Sequence, residues 1–95
     1  MTTIRRFVLD VLKPHDPSLT EVAGRVASLN AVSGVTATLI EIEDEVRTTR
    51  LAIEGVGLDL AEIEAAIADM GGSVHSVDQV SCGERIVDDG ASVDG

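Results

Sequence analysis

The chain has no tryptophan, no tyrosine and a single phenylalanine, Phe7. Binding that relies on stacking bases against aromatic faces is therefore poorly provided for. With one cysteine, Cys82, neither an internal disulfide nor a thiolate metal cluster can form. Lysine occurs once, as Lys13, and seven basic residues face seventeen carboxylates, giving a formal charge of −10. Such a surface repels phosphate backbones and anionic membranes. No apolar run approaches the ~20 residues that a membrane-spanning helix needs. The opening Met1-Thr2-Thr3-Ile4-Arg5-Arg6 passes straight into a strand pattern, without the apolar stretch of an export signal. Neither nucleic acid nor membrane is an expected partner, and the expected location is cytoplasmic. Acid-rich, lysine-poor composition fits a halophilic setting, because a Debye length of about 3 Å at molar salt screens the self-repulsion.

What is present is a pattern stated twice. Ser18-Leu19-Thr20-Glu21-Val22 opens one segment and Asp59-Leu60-Ala61-Glu62-Ile63 opens another. Each reads as a capping box, with Ser18 or Asp59 accepting from the first helical turn and Glu21 or Glu62 reaching back. Leu58 and Ile63 add a hydrophobic staple to the second. Each cap launches the same apolar stripe, Leu19, Val22, Val26, Leu29 and then Leu60, Ile63, Ile67, Met70, which is one face of a helix. The first helix is expected to run to Leu29 or Asn30, with Asn30 and Gly34 as its exit, and the second to end at Met70 before Gly71-Gly72.

Strand-like runs flank both helices: Ile4 to Leu12, Val35 to Glu43, Arg47 to Glu54 and Val74 to Val80. The order is βαββαβ, an α+β arrangement. Two right-handed β-α-β units joined by a hairpin give a ferredoxin-like plait: a four-stranded antiparallel sheet, order 4-1-3-2, with both helices on one face. Residues 1–82 form this single domain, and 83–95 read as a mobile acidic tail.

The face of the sheet away from the helices carries part of the functional expectation. Strand alternation puts Val8, Asp10 and Leu12 on one side of the first strand. The second strand has aliphatics at both parities, Val35, Ala37 and Leu39, then Ile40 and Ile42. A face open to water reads mostly polar. An apolar open face points to cover by another copy of the chain, with Val8, Leu12 and Arg50 in the contact. The alternatives are a tail that folds back over the face, or a β-bulge that reassigns the parity of the second strand.

Several residues could carry chemistry. Glu41, Glu43, Asp44 and Glu45 crowd the hairpin; alternation puts Glu41 and Glu43 on one side about 7 Å apart, and oxygen ligands suit Ca²⁺. Charges that keep an edge strand from aggregating account for the same residues. Asp10 sits among apolar neighbours, and the topology places it on the open face with Arg50 and Asp78. These groups could pair, make polar contacts between copies or hold an ion; Asp10, Glu41, Glu43 and Asp78 form the candidate metal set. His15, Asp16 and His75 are an alternative metal or ligand set, because the end of strand one lies near the start of strand four. Cys82 has no base near it in sequence, and no phosphate-loop motif or nucleophile–base set is present. An enzyme is not expected.

Several stretches together resemble one family. They are Ile4-Arg5-Arg6, Leu9-Asp10-Val11-Leu12-Lys13-Pro14-His15, Ile53-Glu54-Gly55 and Gly71-Gly72-Ser73-Val74-His75-Ser76-Val77-Asp78. The resemblance, over roughly residues 4 to 80, is to the archaeal domain-of-unknown-function 211 (DUF211) family. It implies a ferredoxin-like fold and ring-like homo-oligomers, with binding of divalent cations such as calcium and no catalytic activity. Asp10, His15, His75 and Asp78 fall within the matching stretches. The acidic, lysine-poor surface and the tail after Cys82 depart from the family's familiar pattern and fit a salt-loving archaeon. The expected function is a non-enzymatic, self-assembling protein with a possible Ca²⁺ ligand; the alternative is a small-molecule-sensing regulatory module with its ligand at subunit interfaces, an expectation from fold analogy.

Overall fold

A computed structural model describes residues 3–87 of the chain. In order along the chain are β1 (Ile4–Pro14), α1 (Leu19–Ala27), β2 (Val32–Glu43), β3 (Val46–Gly55), α2 (Leu60–Asp69) and β4 (Ser73–Cys82). The strands form one sheet in the order β2-β3-β1-β4, with β1–β3, β1–β4 and β2–β3 all antiparallel. This is the expected ferredoxin-like α+β arrangement, with each strand longer than its sequence pattern indicates.

The helices start where the caps predict. Ser18 accepts from the Glu21 backbone N–H at 3.1 Å while the Glu21 carboxylate accepts from the Ser18 N–H at 3.2 Å, a complete capping box. The second start is simpler than expected. Asp59 accepts from the Ala61 N–H at 3.0 Å, and no reciprocal bond from Glu62 is formed. Glu62 still sits in the first turn, where the helix dipole favours a carboxylate. Helix α1 ends early, at the Ser28 cap, and Gly34 lies inside β2 rather than at the helix exit. Helix α2 ends as expected: Gly72 N–H donates to Ile67 O and Gly71 N–H to Ala68 O, the paired bonds of a Schellman motif. Gly71 takes φ 84°, which a side chain would strain.

The core lies between the sheet and the helices. Phe7, Leu9 and Val11 of β1 and Leu51 and Ile53 of β3 meet Val22 and Val26 of α1 and Ile63 and Ile67 of α2. Leu58, ahead of the Asp59 cap, is buried in the same cluster. The helix stripes are thus buried at their centres and half-buried at Leu29, Leu60 and Met70. Of the predicted acidic tail, residues 83–87 form no helix or strand, and the Gly83 N–H donates to Thr3 O at 2.8 Å. Residues 88–95 lie outside the described residues.

Candidate functional site

Odd-numbered residues of β1 face the helices, so Arg6, Val8, Asp10 and Leu12 face the other way. The register brings Val8 opposite Ala52, Asp10 opposite Arg50 and Leu12 opposite Thr48. Val8, Asp10, Leu12 and Arg50 therefore share the open face, as alternation predicts. No ion pair within 4 Å joins Asp10 to Arg50; the pair on this face is Arg6 with Glu54, at 3.5 Å. Asp10 Oδ1 is shielded from solvent and accepts no hydrogen bond from the described residues. A shielded, unpartnered carboxylate oxygen is costly and marks Asp10 as a group that gains from an additional partner.

The edges depart from simple alternation. In β2 a bulge between Leu39 and Glu41 changes the parity, so Glu41 stands opposite Thr48, Ile42 opposite Arg47 and Glu43 opposite Val46. Glu41 and Glu43 still share a side, but Ile42 moves to the side of Leu39. The apolar side chains of β2 expected on the open face are thereby reassigned in part to the helix side. Most of what remains on the open face is polar: Thr36, Thr38, Glu41 and Glu43 beside Thr48, Arg50 and Glu54.

Strand β4 carries two such bulges. Val74 pairs with Val11, Ser76 with Asp10, Val77 with Leu9, Gln79 with Val8 and Val80 with Phe7, leaving His75 and Asp78 as the extra residues. Ser76, not Asp78, stands opposite Asp10. Asp78 remains close, because its Oδ1 accepts from Ser76 Oγ at 2.8 Å. The bulges also turn valines spaced three apart, Val74, Val77 and Val80, toward the side of Val11, Leu9 and Phe7. Helix α2 does not cover them all; Val77 and Val80 are exposed.

The two histidines are not brought together. His15 leans toward β3, where its Nδ1 lies 2.9 Å from Arg47 Nη2, while His75 stands on β4 across β1. Asp16 follows His15 in the exposed turn. Among the described residues no group of three His, Cys, Asp or Glu side chains could hold a metal ion within one chain. Cys82 is exposed at the end of β4.

Sequence reasoning passed over Lys13. It continues the inward parity of β1, is only 6% exposed, and its Nζ donates to Pro14 O at 2.7 Å. The overlooked signal was position: the chain's one lysine follows the inward-facing Val11 by two. Burial, and then the Arg47 guanidinium beside it, lower its pKa from the ordinary 10.5, with Asp16 and Glu21 opposing. A lysine lowered on folding binds its proton less well in the native state. Its contribution to stability is therefore full above pH 10.5 and is lost as pH falls through the native value. Denaturant midpoints should rise with alkaline pH in that window, and Lys13→Met should remove the rise.

The family model of DUF211, described as uncharacterized ArCR, matches residues 5–94. The uncharacterized protein MJ0319 of Methanocaldococcus jannaschii is 43% identical over 89 residues, covering 94% of this chain and 92% of the relative. Among the described residues no helix is long and apolar enough to cross a membrane. Matched along nearly its whole length by the family model and by this relative, the chain belongs to the DUF211 family.

Proposed function

We propose that the protein is a non-enzymatic, self-assembling protein whose copies join edge to edge into ring-like homo-oligomers. The observation that carries this reading is where the exposed aliphatics lie. Leu39, Ile40, Ile42 and Val46 cluster at the β2–β3 hairpin, each between 43% and 56% exposed, and Val77 and Val80 line β4. All of these but Val46 lie on β2 or β4, the two opposite edges of the sheet. An uncapped edge strand with apolar side chains is a template for pairing with another chain. Contact between two different surfaces is heterologous, and such contacts close into rings when the rotation allows. Val8, Leu12 and Arg50 on the open face form a smaller, secondary contact in this reading.

The net charge of −10 opposes assembly at low salt. A divalent cation such as Ca²⁺, shared between copies by Asp10, Glu41, Glu43 and Asp78, would relieve it. These carboxylates then act across copies rather than within one.

Light scattering coupled to size exclusion tests the reading in molar KCl, with Ca²⁺ and with a chelator. Assembly should strengthen with salt and with Ca²⁺. Ile42→Asp and Val77→Asp each block one edge, so each alone should give a smaller species than the wild type. Mixed together, they retain one working contact and should stop at a heterodimer. A wild type that stays monomeric in every condition refutes assembly, and indifference to Ca²⁺ removes the cation from it.

A further inference from the structure

In a chain with seventeen carboxylates, two of the basic side chains stand directly opposite one another. Lys13 of β1 pairs with Arg47 of β3 across the ladder. Like charges so placed are destabilising. Among the described residues, ion pairs within 4 Å join Arg6 to Glu54 and Arg25 to Asp69, and neither Lys13 nor Arg47 has one. Asp16 and Glu21 influence Lys13 from further away.

The Lys13 ammonium is tethered, donating to Pro14 O at 2.7 Å and more weakly to His15 O at 3.4 Å. Arg47 has two partners of its own, both in exposed positions. Its Nη1 donates to Asp44 O at 3.3 Å, and its Nη2 meets His15 Nδ1 at 2.9 Å. His15 Nδ1 accepts there, so the ring presents its other nitrogen as a donor. Of the five guanidinium N–H groups, some are left over for a further partner. These groups line a cavity of about 240 Å³ whose apolar wall is Leu19 and Leu39, beside the Ser18 cap of α1.

We propose that this cavity is a binding site for a small organic anion, with a carboxylate between Lys13 and Arg47 and a short aliphatic body against Leu19 and Leu39. The anion supplies the negative charge that the fold leaves out, and it lets two repelling cations share a partner. The volume is below the ~300–1,000 Å³ of sites for drug-sized ligands, which fits a ligand of few atoms. Inorganic phosphate offers the same oxyanion chemistry without the aliphatic body. Every group of the site belongs to one chain, and Leu39 is shared with the contact proposed between copies.

Calorimetric titration of the full chain at constant ionic strength, with isovalerate, inorganic phosphate and chloride, separates the possibilities. Isovalerate should bind at least tenfold more tightly than phosphate, and chloride should compete only weakly. Arg47→Gln should weaken isovalerate at least tenfold, whereas Arg50→Gln, on the opposite face, should leave it unchanged. Undetectable isovalerate binding overturns the site, as does equal binding by Arg47→Gln. Phosphate binding more tightly than isovalerate overturns the carboxylate assignment. Lys13 is too buried for its replacement to be decisive alone, so a repeat of the Arg47→Gln loss in Arg47→Met confirms that charge is what matters.

Discussion

Gly55→Val should lower the stability of the chain by about 3 kcal/mol or more, lying at or beyond the usual range for overpacking. Gly55 ends β3 where the chain passes beneath the α1–β2 connection. A β-carbon there would collide with the carbonyl oxygen of Ala31 and come within 2.9 Å of Leu58 Cδ2. The leucine can turn aside, but the carbonyl cannot, because it accepts from the Val56 N–H at 3.1 Å. Inserting a side chain therefore both crowds the seam and endangers this bond, which is worth about 1 kcal/mol. A domain of this size is stable by roughly 5–14 kcal/mol, so the loss is a large share. Gly34→Ala is the matched control, since nothing lies within 4 Å of the position its β-carbon would take. Urea midpoints of the three proteins decide the matter; a Gly55 variant as stable as Gly34→Ala would show that the seam is looser than described.

Leu51→Ala should cost about 2–5 kcal/mol, the range for truncating a fully buried leucine. Leu51 has no exposed surface and sits on the central strand β3, opposite Leu9 on one side and Ala37 on the other. Removing it opens a cavity under both helices. Leu12→Ala deletes the same atoms from the open face, where the side chain is only half-buried, and should cost less than half as much. The comparison measures how unequal the two faces of the sheet are. Equal losses would mean that the open face is as well packed as the core, and would shift the assembly contact from the edges to that face.

The fold was legible because two local signals repeat and agree. Each helix begins at a capping residue followed by an apolar stripe, and each is bracketed by β-branched runs, so element order and topology followed with few alternatives. Strand register was harder. Val74, Val77 and Val80 are three apart, which no regular strand can place on one side. The two bulges at His75 and Asp78 absorb the mismatch. The spacing itself was the available clue, but where a bulge falls is decided by the neighbouring strand. The same applies to Ile40, whose bulge moved Ile42 away from the open face. Of the candidate site residues, Val8, Asp10, Leu12 and Arg50 came together because alternation within β1 and β3 is regular. His15 and His75 stayed apart because His15 sits on the β3 side of β1, against Arg47, and β4 lies on the other side. Lys13 beside Arg47 follows from the same register that sets Asp10 opposite Arg50, and was passed over because a lysine reads as a surface residue.

The burial of Lys13 has a practical chemical consequence. Apart from the α-amino group, it is the chain's only primary amine. Amine-selective cross-linkers will find almost nothing to modify in the folded protein. A second amine adduct must be on Lys13, whose ammonium lines the cavity beside Arg47, so an anion bound there should slow its appearance. The molecule thus contains a single-site reporter of whether that cavity is filled.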